Sequence, residues 1–178
     1  MISHIALLRG VNVGGNMLKM ERLRAVFAEL GFAGALTYLQ SGNVLFTAEA
    51  PAADLAGRIA QAVSAETRLP VSVILRTPAQ WRRLIAANPF AREAETAPKT
   101  VHVTFLASAP APAGLAAIGK LNEGTDRWHA AGSEIYLHCP NGYGRSKLVN
   151  TALERALGLR ATTRNWSTVM ALREMAES

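Results

Sequence analysis

The chain is short of acids, and the places that lack them are informative. Only two of its thirteen carboxylates are Asp, and no charged residue lies between Leu30 and Ala48. None of its four polar, glycine- or asparagine-bearing loops, 9–16, 40–43, 140–147 and 163–166, contains an Asp or Glu. Acid–base work by paired carboxylates, or a hard-metal site, therefore lacks its side chains there. A single cysteine, Cys139, excludes an internal disulfide and fits a reducing compartment. With no local partner motif it reads as a buried thiol, not a nucleophile. His4, His102, His129 and His138 show no metal-ligand spacing and read as half-buried strand histidines. Met1-Ile2-Ser3-His4 carries no basic signal-peptide start, and no apolar run approaches the ~20 residues of a membrane span. A cytoplasmic protein that calls for no cofactor, metal or membrane is expected.

What is present is a globular composition: 178 residues, 49% apolar and 18% charged, enough for one domain or two small ones. Lys and Arg total 19, fifteen of them Arg, for a net charge of +6. That balance suits an anionic partner, although many basic proteins bind none.

One pattern occurs twice. A strand over 4–10 is followed by Met20, Leu23, Phe27 and Leu30 on one helical face, ending at Gly31. Segments 36–40 and 43–47 flank Ser41-Gly42, which reads as a two-residue hairpin turn. Leu55, Ile59, Ala62 and Val63 mark a second helix, and 71–75 a fourth strand. Thr77-Pro78-Ala79-Gln80 combines a capping box with proline at the first helical position. The polar stretch 91–98 reads as the boundary. Beyond it come a strand over 101–106, a helix through Leu115, Ile118 and Leu121, and a hairpin about Gly132. A helix through Leu148, Ala152, Leu153 and Leu157 follows, with Ser146 as N-cap and Gly158 just past its end. A short strand over 160–163 and a closing helix over 166–176 complete the chain. The expected fold class is α+β: two ferredoxin-like βαββα(β) units in tandem, with antiparallel sheets and helices packed on one face. The first unit with its linker helix covers 1–90, and the second with the C-terminal helix covers 99–178.

This topology places the end of the first strand beside the first hairpin. Arg9, Asn12, Gly14, Gly15 and Lys19 are thereby grouped with Gln40, Ser41 and Asn43 as a candidate ligand site. In the second unit, Gly142, Tyr143, Gly144, Arg145, Ser146 and Lys147 precede a helix and share a sheet end with Arg164, Asn165 and Trp166. Glycines, cations and a helix start suit an anion. Gly10-x-x-x-x-Gly15 has P-loop spacing, but Asn16-Met17 stand where Lys and Ser/Thr belong, so that reading fails. Gly142-x-Gly144 lacks the third glycine and the parallel βαβ setting of a dinucleotide fingerprint. Tight turns are the bland alternative for each loop, and packing is the default for Trp81, Trp128 and Trp166.

Leu8-Arg9-Gly10-Val11-Asn12-Val13-Gly14-Gly15, Thr37 to Val44 (TYLQSGNV), Asn141-Gly142-Tyr143-Gly144 with Ser146-Lys147-Leu148, and Thr163-Arg164-Asn165-Trp166 with Thr168-Val169 form four separated motifs. Together they resemble the bacterial domain of unknown function 1697 family, in order and over nearly the whole chain. The resemblance implies a small cytoplasmic α+β protein and supplies no catalytic residues. The expectation is binding of an anionic small molecule or nucleotide, with RNA as a larger version of the same chemistry. An enzyme acting on an anionic small molecule, or an interaction adaptor with purely structural loops, are the alternatives. No oligomeric state follows from the sequence.

Overall fold

A computed structural model describes residues 2–12, 17–32, 34–49, 52–122 and 124–178. The chain divides into two compact units, Met1–Arg82 with Leu172–Ser178, and Arg83–Ala171.

The first unit runs β1 (Ile2–Arg9), α1 (Met20–Glu29), β2 (Leu36–Tyr38), β3 (Asn43–Ala48), α2 (Ala52–Thr67) and β4 (Ser72–Arg76). Its sheet has the order β2-β3-β1-β4, with every neighbouring pair antiparallel. This is the ferredoxin-like arrangement expected from βαββαβ. Period-two alternation sends Ala6, Leu8, Val44 and Phe46 to one face, where they pack with Leu23, Val26 and Phe27 of α1 and Leu55, Ile59 and Val63 of α2. Gly31, at φ +88°, ends α1 in the left-handed region.

After β4 the helix α3 (Pro78–Ala86) begins at the capping box. The Thr77 N–H donates to Gln80 Oε1 at 2.8 Å, and the Gln80 N–H donates to Thr77 Oγ1 at 3.2 Å. Replacing Thr77 with Ala is expected to cost about 1 kcal/mol. Urea denaturation of the variant checks this, and a loss below a few tenths would show that the reciprocal cap is idle.

Residues 91–98, the polar stretch that reads as the boundary, contain the helix α4 (Ala91–Thr96) and lead through a 3₁₀ turn (Pro98–Thr100) into β5 (Val101–Leu106). The rest of the chain comprises α5 (Pro112–Leu121), β6 (Arg127–Ala131), β7 (Glu134–His138), α6 (Asn150–Leu157), β8 (Ala161–Asn165) and α7 (Trp166–Glu177). The second sheet, β6-β7-β5-β8, repeats the order of the first. Leu106, Ile135, Leu137 and Ala161 of this sheet pack with Ile118 of α5 and Leu153 of α6. Gly114 lets these two helices approach: a Cβ there would lie 3.2 Å from Leu157 Cα.

Two local expectations are corrected. The first hairpin pairs Tyr38 with Asn43, so four residues connect its strands and not two. Leu39 and Gly42 take φ of +56° and +74° in that loop, and the buried Asn43 amide donates to the Tyr38 carbonyl and to Ser41 Oγ. The helix α6 starts at Asn150, and Ser146 does not cap it. The Ser146 hydroxyl instead accepts from the Leu148 N–H at 2.9 Å, closing a turn before the helix.

Candidate functional site

The two loops grouped in the first unit do meet. The Leu8 N–H donates to the Gly42 carbonyl at 2.8 Å, and Gly42 lies against Leu8 and Val11. Asn12, at φ +56°, donates its side-chain amide to the Gln40 carbonyl and accepts the Leu18 N–H at 2.6 Å. An Asn tolerates this left-handed conformation better than most residues. The polar side chains expected to face a ligand thus fasten the loops to one another: Asn12 bridges them, and Asn43 closes the hairpin from a fully buried position. Gln40 and Ser41 are exposed, as are the apolar Met17 and Leu39. Arg9 is half-buried at the end of β1, opposite Ser72 of β4. Lys19 directly precedes α1 and lines a separate pocket of about 370 Å³ that also holds Glu66. That carboxylate is taken up by Arg22, which binds it at 2.7 Å and holds its pKa below the ordinary value. Gly14 and Gly15 lie outside the described residues.

In the second unit the strand order decides which loops meet. Because Arg127 pairs with His138, the segment that enters β6 lies beside the segment that leaves β7. Between them is a pocket of about 370 Å³ lined by Asn122, Gly124, Thr125, Asp126, Asn141, Gly142, Arg145 and Lys147. Of the residues expected here, Gly142, Arg145 and Lys147 line it. Asn122, Thr125 and Asp126 were missed, although the antiparallel β6–β7 pairing already implied their position. They bring an acid into a site that the sequence reading treated as acid-free.

Two side-chain bonds brace the pocket. Asn122 Nδ2 donates to the Asp126 carbonyl at 2.8 Å, and Asn141 Nδ2 donates to Thr125 Oγ1 at 3.1 Å, tying one loop to the other. Behind it, Cys139 is fully buried, and that burial pushes its thiol up to about 11, against the effect of a hydrogen bond from Ser146. Such a thiol stays protonated and is a poor nucleophile at neutral pH.

Part of the backbone over 142–147 is committed to local turns. The Gly142 N–H is committed to the Cys139 carbonyl at 2.9 Å, Arg145 N–H to Gly142 and Ser146 N–H to Tyr143, each at 3.1 Å. Tight turns take up these three donors, and Tyr143–Arg145 is a 3₁₀ turn ahead of α6, not the start of that helix. Tyr143 turns inward and stacks on buried His102, with centroids 4.7 Å apart. Gly144 is exposed and Ser146 half-buried.

Arg164, Asn165 and Trp166 have other duties. Arg164 lies in β8 opposite Val103, only 8% exposed, with its guanidinium donating to Thr162 Oγ1 and the Thr163 carbonyl. Burial lowers its pKa to about 10, which leaves it a cation at neutral pH. Asn165 caps α7 by accepting the Thr168 N–H at 2.8 Å, and Trp166 is buried at the first position of that helix. A polar chain links the sheet to α6: Thr163 donates to Asn150 Oδ1 at 2.7 Å, so Thr104 is the donor to Thr163 Oγ1, also at 2.7 Å.

Among the described residues no group of three or more His, Cys, Asp or Glu could hold a metal ion. No described helix is long and apolar enough to cross a membrane. A search of the curated proteins gives no match. Among solved structures, a conserved bacterial protein, SP0830 from Streptococcus pneumoniae, is similar at a TM-score of 0.79 and 19% identity, covering 100% of this chain and 99% of its own. At that identity the likeness speaks for the paired α+β architecture alone. A family model for proteins of unknown function, DUF1697, matches residues 1–136, and the chain belongs to that family.

Proposed function

We propose that the protein binds a phosphate-bearing small molecule or nucleotide in the second-unit pocket, beside β6 and β7. One observation carries this reading: Arg145 and Lys147 line a single pocket together with the neutral side chains of Asn122, Thr125 and Asn141. Its size falls within the usual range for small-ligand sites. A guanidinium offers a planar fork to phosphate and an ammonium offers a mobile point charge, so the two are complementary. The first-unit loops are a weaker candidate, because Asn12 and Asn43 spend their amides on the loops themselves. Isothermal titration with a nucleoside monophosphate tests the reading. Arg145→Ala and Lys147→Ala are each expected to weaken binding about tenfold or more, as loss of a charge-assisted hydrogen bond does. Affinity should also fall with added salt. Binding that neither variant changes, or no binding at all, would overturn it.

A further inference from the structure

The pocket is not uniformly basic, and its asymmetry narrows the ligand. Its cations, Arg145 and Lys147, come from the segment after β7, whereas Asp126 comes from the segment that enters β6. Asn141 ties the two segments together through Thr125, so the acid and the cations line one pocket from two linked segments. Asp126 is half-buried there and uses its main-chain carbonyl, not its carboxylate, to accept from Asn122. A bare phosphate would gain from the cations of one segment and be repelled by the acid of the other. A ligand with hydroxyl groups beside its phosphate satisfies both, because an ionised carboxylate only accepts hydrogen bonds and a vicinal diol presents two donors to it.

Resting on the anion-binding reading above, we propose that the ligand class is a phosphorylated polyol, a sugar phosphate or the ribose phosphate of a nucleotide. Its phosphate lies toward Arg145 and Lys147, and its hydroxyls donate to Asp126. Asp126 is then the specificity-determining residue, choosing hydroxylated phosphates over inorganic phosphate and over deoxy analogues. A site built to hydrogen-bond a hydroxyl discriminates strongly against ligands that lack one, since its own polar group is left unpaired.

Calorimetric titration of the full chain with ribose 5-phosphate, 2-deoxyribose 5-phosphate and inorganic phosphate tests this. The wild type is expected to bind ribose 5-phosphate at least tenfold more tightly than either of the others. Asp126→Asn keeps the side-chain shape and the main-chain acceptor but loses the charge. It should erase the preference while tightening inorganic phosphate. If the wild type does not distinguish the three, or if Asp126→Asn strengthens all of them by one factor, Asp126 only repels. The polyol assignment is then overturned while anion binding stands. If none of the three binds, or if Arg145→Ala and Lys147→Ala leave all three unchanged, the anion-binding reading itself fails and takes this assignment with it.

Discussion

Gly10→Ala is expected to destabilise the protein by about 3 kcal/mol, although it adds one methyl group to a loop. Two independent effects combine. Gly10 sits at φ +94°, where an L side chain is strained, and a Cβ there would fall 2.5 Å from the Pro70 carbonyl oxygen. That oxygen is main chain, just ahead of β4, so no rotamer change relieves the overlap. Either the exit of β1 or the start of β4 must move, and the two are paired there through Arg9 and Ser72. Gly42→Ala should behave similarly, since its Cβ would lie 2.7 Å from Val11 Cγ2 and 2.9 Å from Leu8 Cβ at φ +74°. Gly144→Ala is the internal control: its φ is not left-handed and nothing lies within 4 Å, so its effect should stay within about 0.5 kcal/mol. Urea denaturation of the three variants gives the comparison. A Gly10→Ala protein as stable as the Gly144→Ala one would mean that the loop has no packing requirement for glycine.

These glycines mark the line between what the residues disclosed and what they did not. Alternating strands, two amphipathic helices per unit and the Thr77/Gln80 box are local signals, and each became the element it implied. Strand order followed from βαββαβ connectivity, and it brought Leu8, Val11 and Asn12 against the hairpin. The length of that hairpin was misread because Leu39 adopts φ +56°, a conformation that a Leu gives no reason to expect. The start of α6 was misread for a related reason: Ser146 offers the same hydroxyl to a helix cap and to a two-residue turn, and only the turn forms.

The site was legible in part. Arg145 and Lys147 stand out by charge and do line a pocket, but Asn122, Thr125 and Asp126 line it from the segment that enters β6. Pairing of β6 with β7 follows from the same topology, so following every loop at that sheet end would have included Asp126. Arg164 shows the opposite error. Ending the last strand at 163 placed Arg164 in a loop, whereas β8 continues to Asn165 and alternation turns Arg164 into the buried sheet. A cation beside an aromatic in sequence says nothing of accessibility until the strand's end is known.

Phe46→Ala is expected to cost about 3–5 kcal/mol and also to change how the protein responds to acid. Phe46 is 4% exposed and joins three rings: Phe27 edge-on at 5.2 Å, Phe32 at 5.0 Å, and His4 stacked at 5.3 Å across the β1–β3 pair. Truncation would remove contacts on three sides and leave a cavity between the sheet, α1 and the Phe32 segment. His4 is the group that turns this into a pH effect. The residue is 2% exposed, neither ring nitrogen has a hydrogen-bond partner among the described residues, and burial lowers its pKa from the ordinary 6.5. The unfolded chain therefore binds a proton at His4 before the folded chain does. Stability is complete above about pH 6.5 and falls as the pH drops below it. Opening the cavity to water should raise the folded-state pKa toward 6.5 and so flatten His4's share of this acid loss, even as total stability drops. Buried His102, lowered mainly by the same desolvation, contributes a separate acid loss that the substitution should leave alone. Titration of the two imidazole C–H resonances by NMR separates them: His4 should move upward in Phe46→Ala and His102 should not. His4→Phe, which replaces one ring by another of similar size, should remove the His4 contribution altogether. Unchanged titration of His4 in Phe46→Ala would mean that the phenyl ring is not what keeps water from the imidazole.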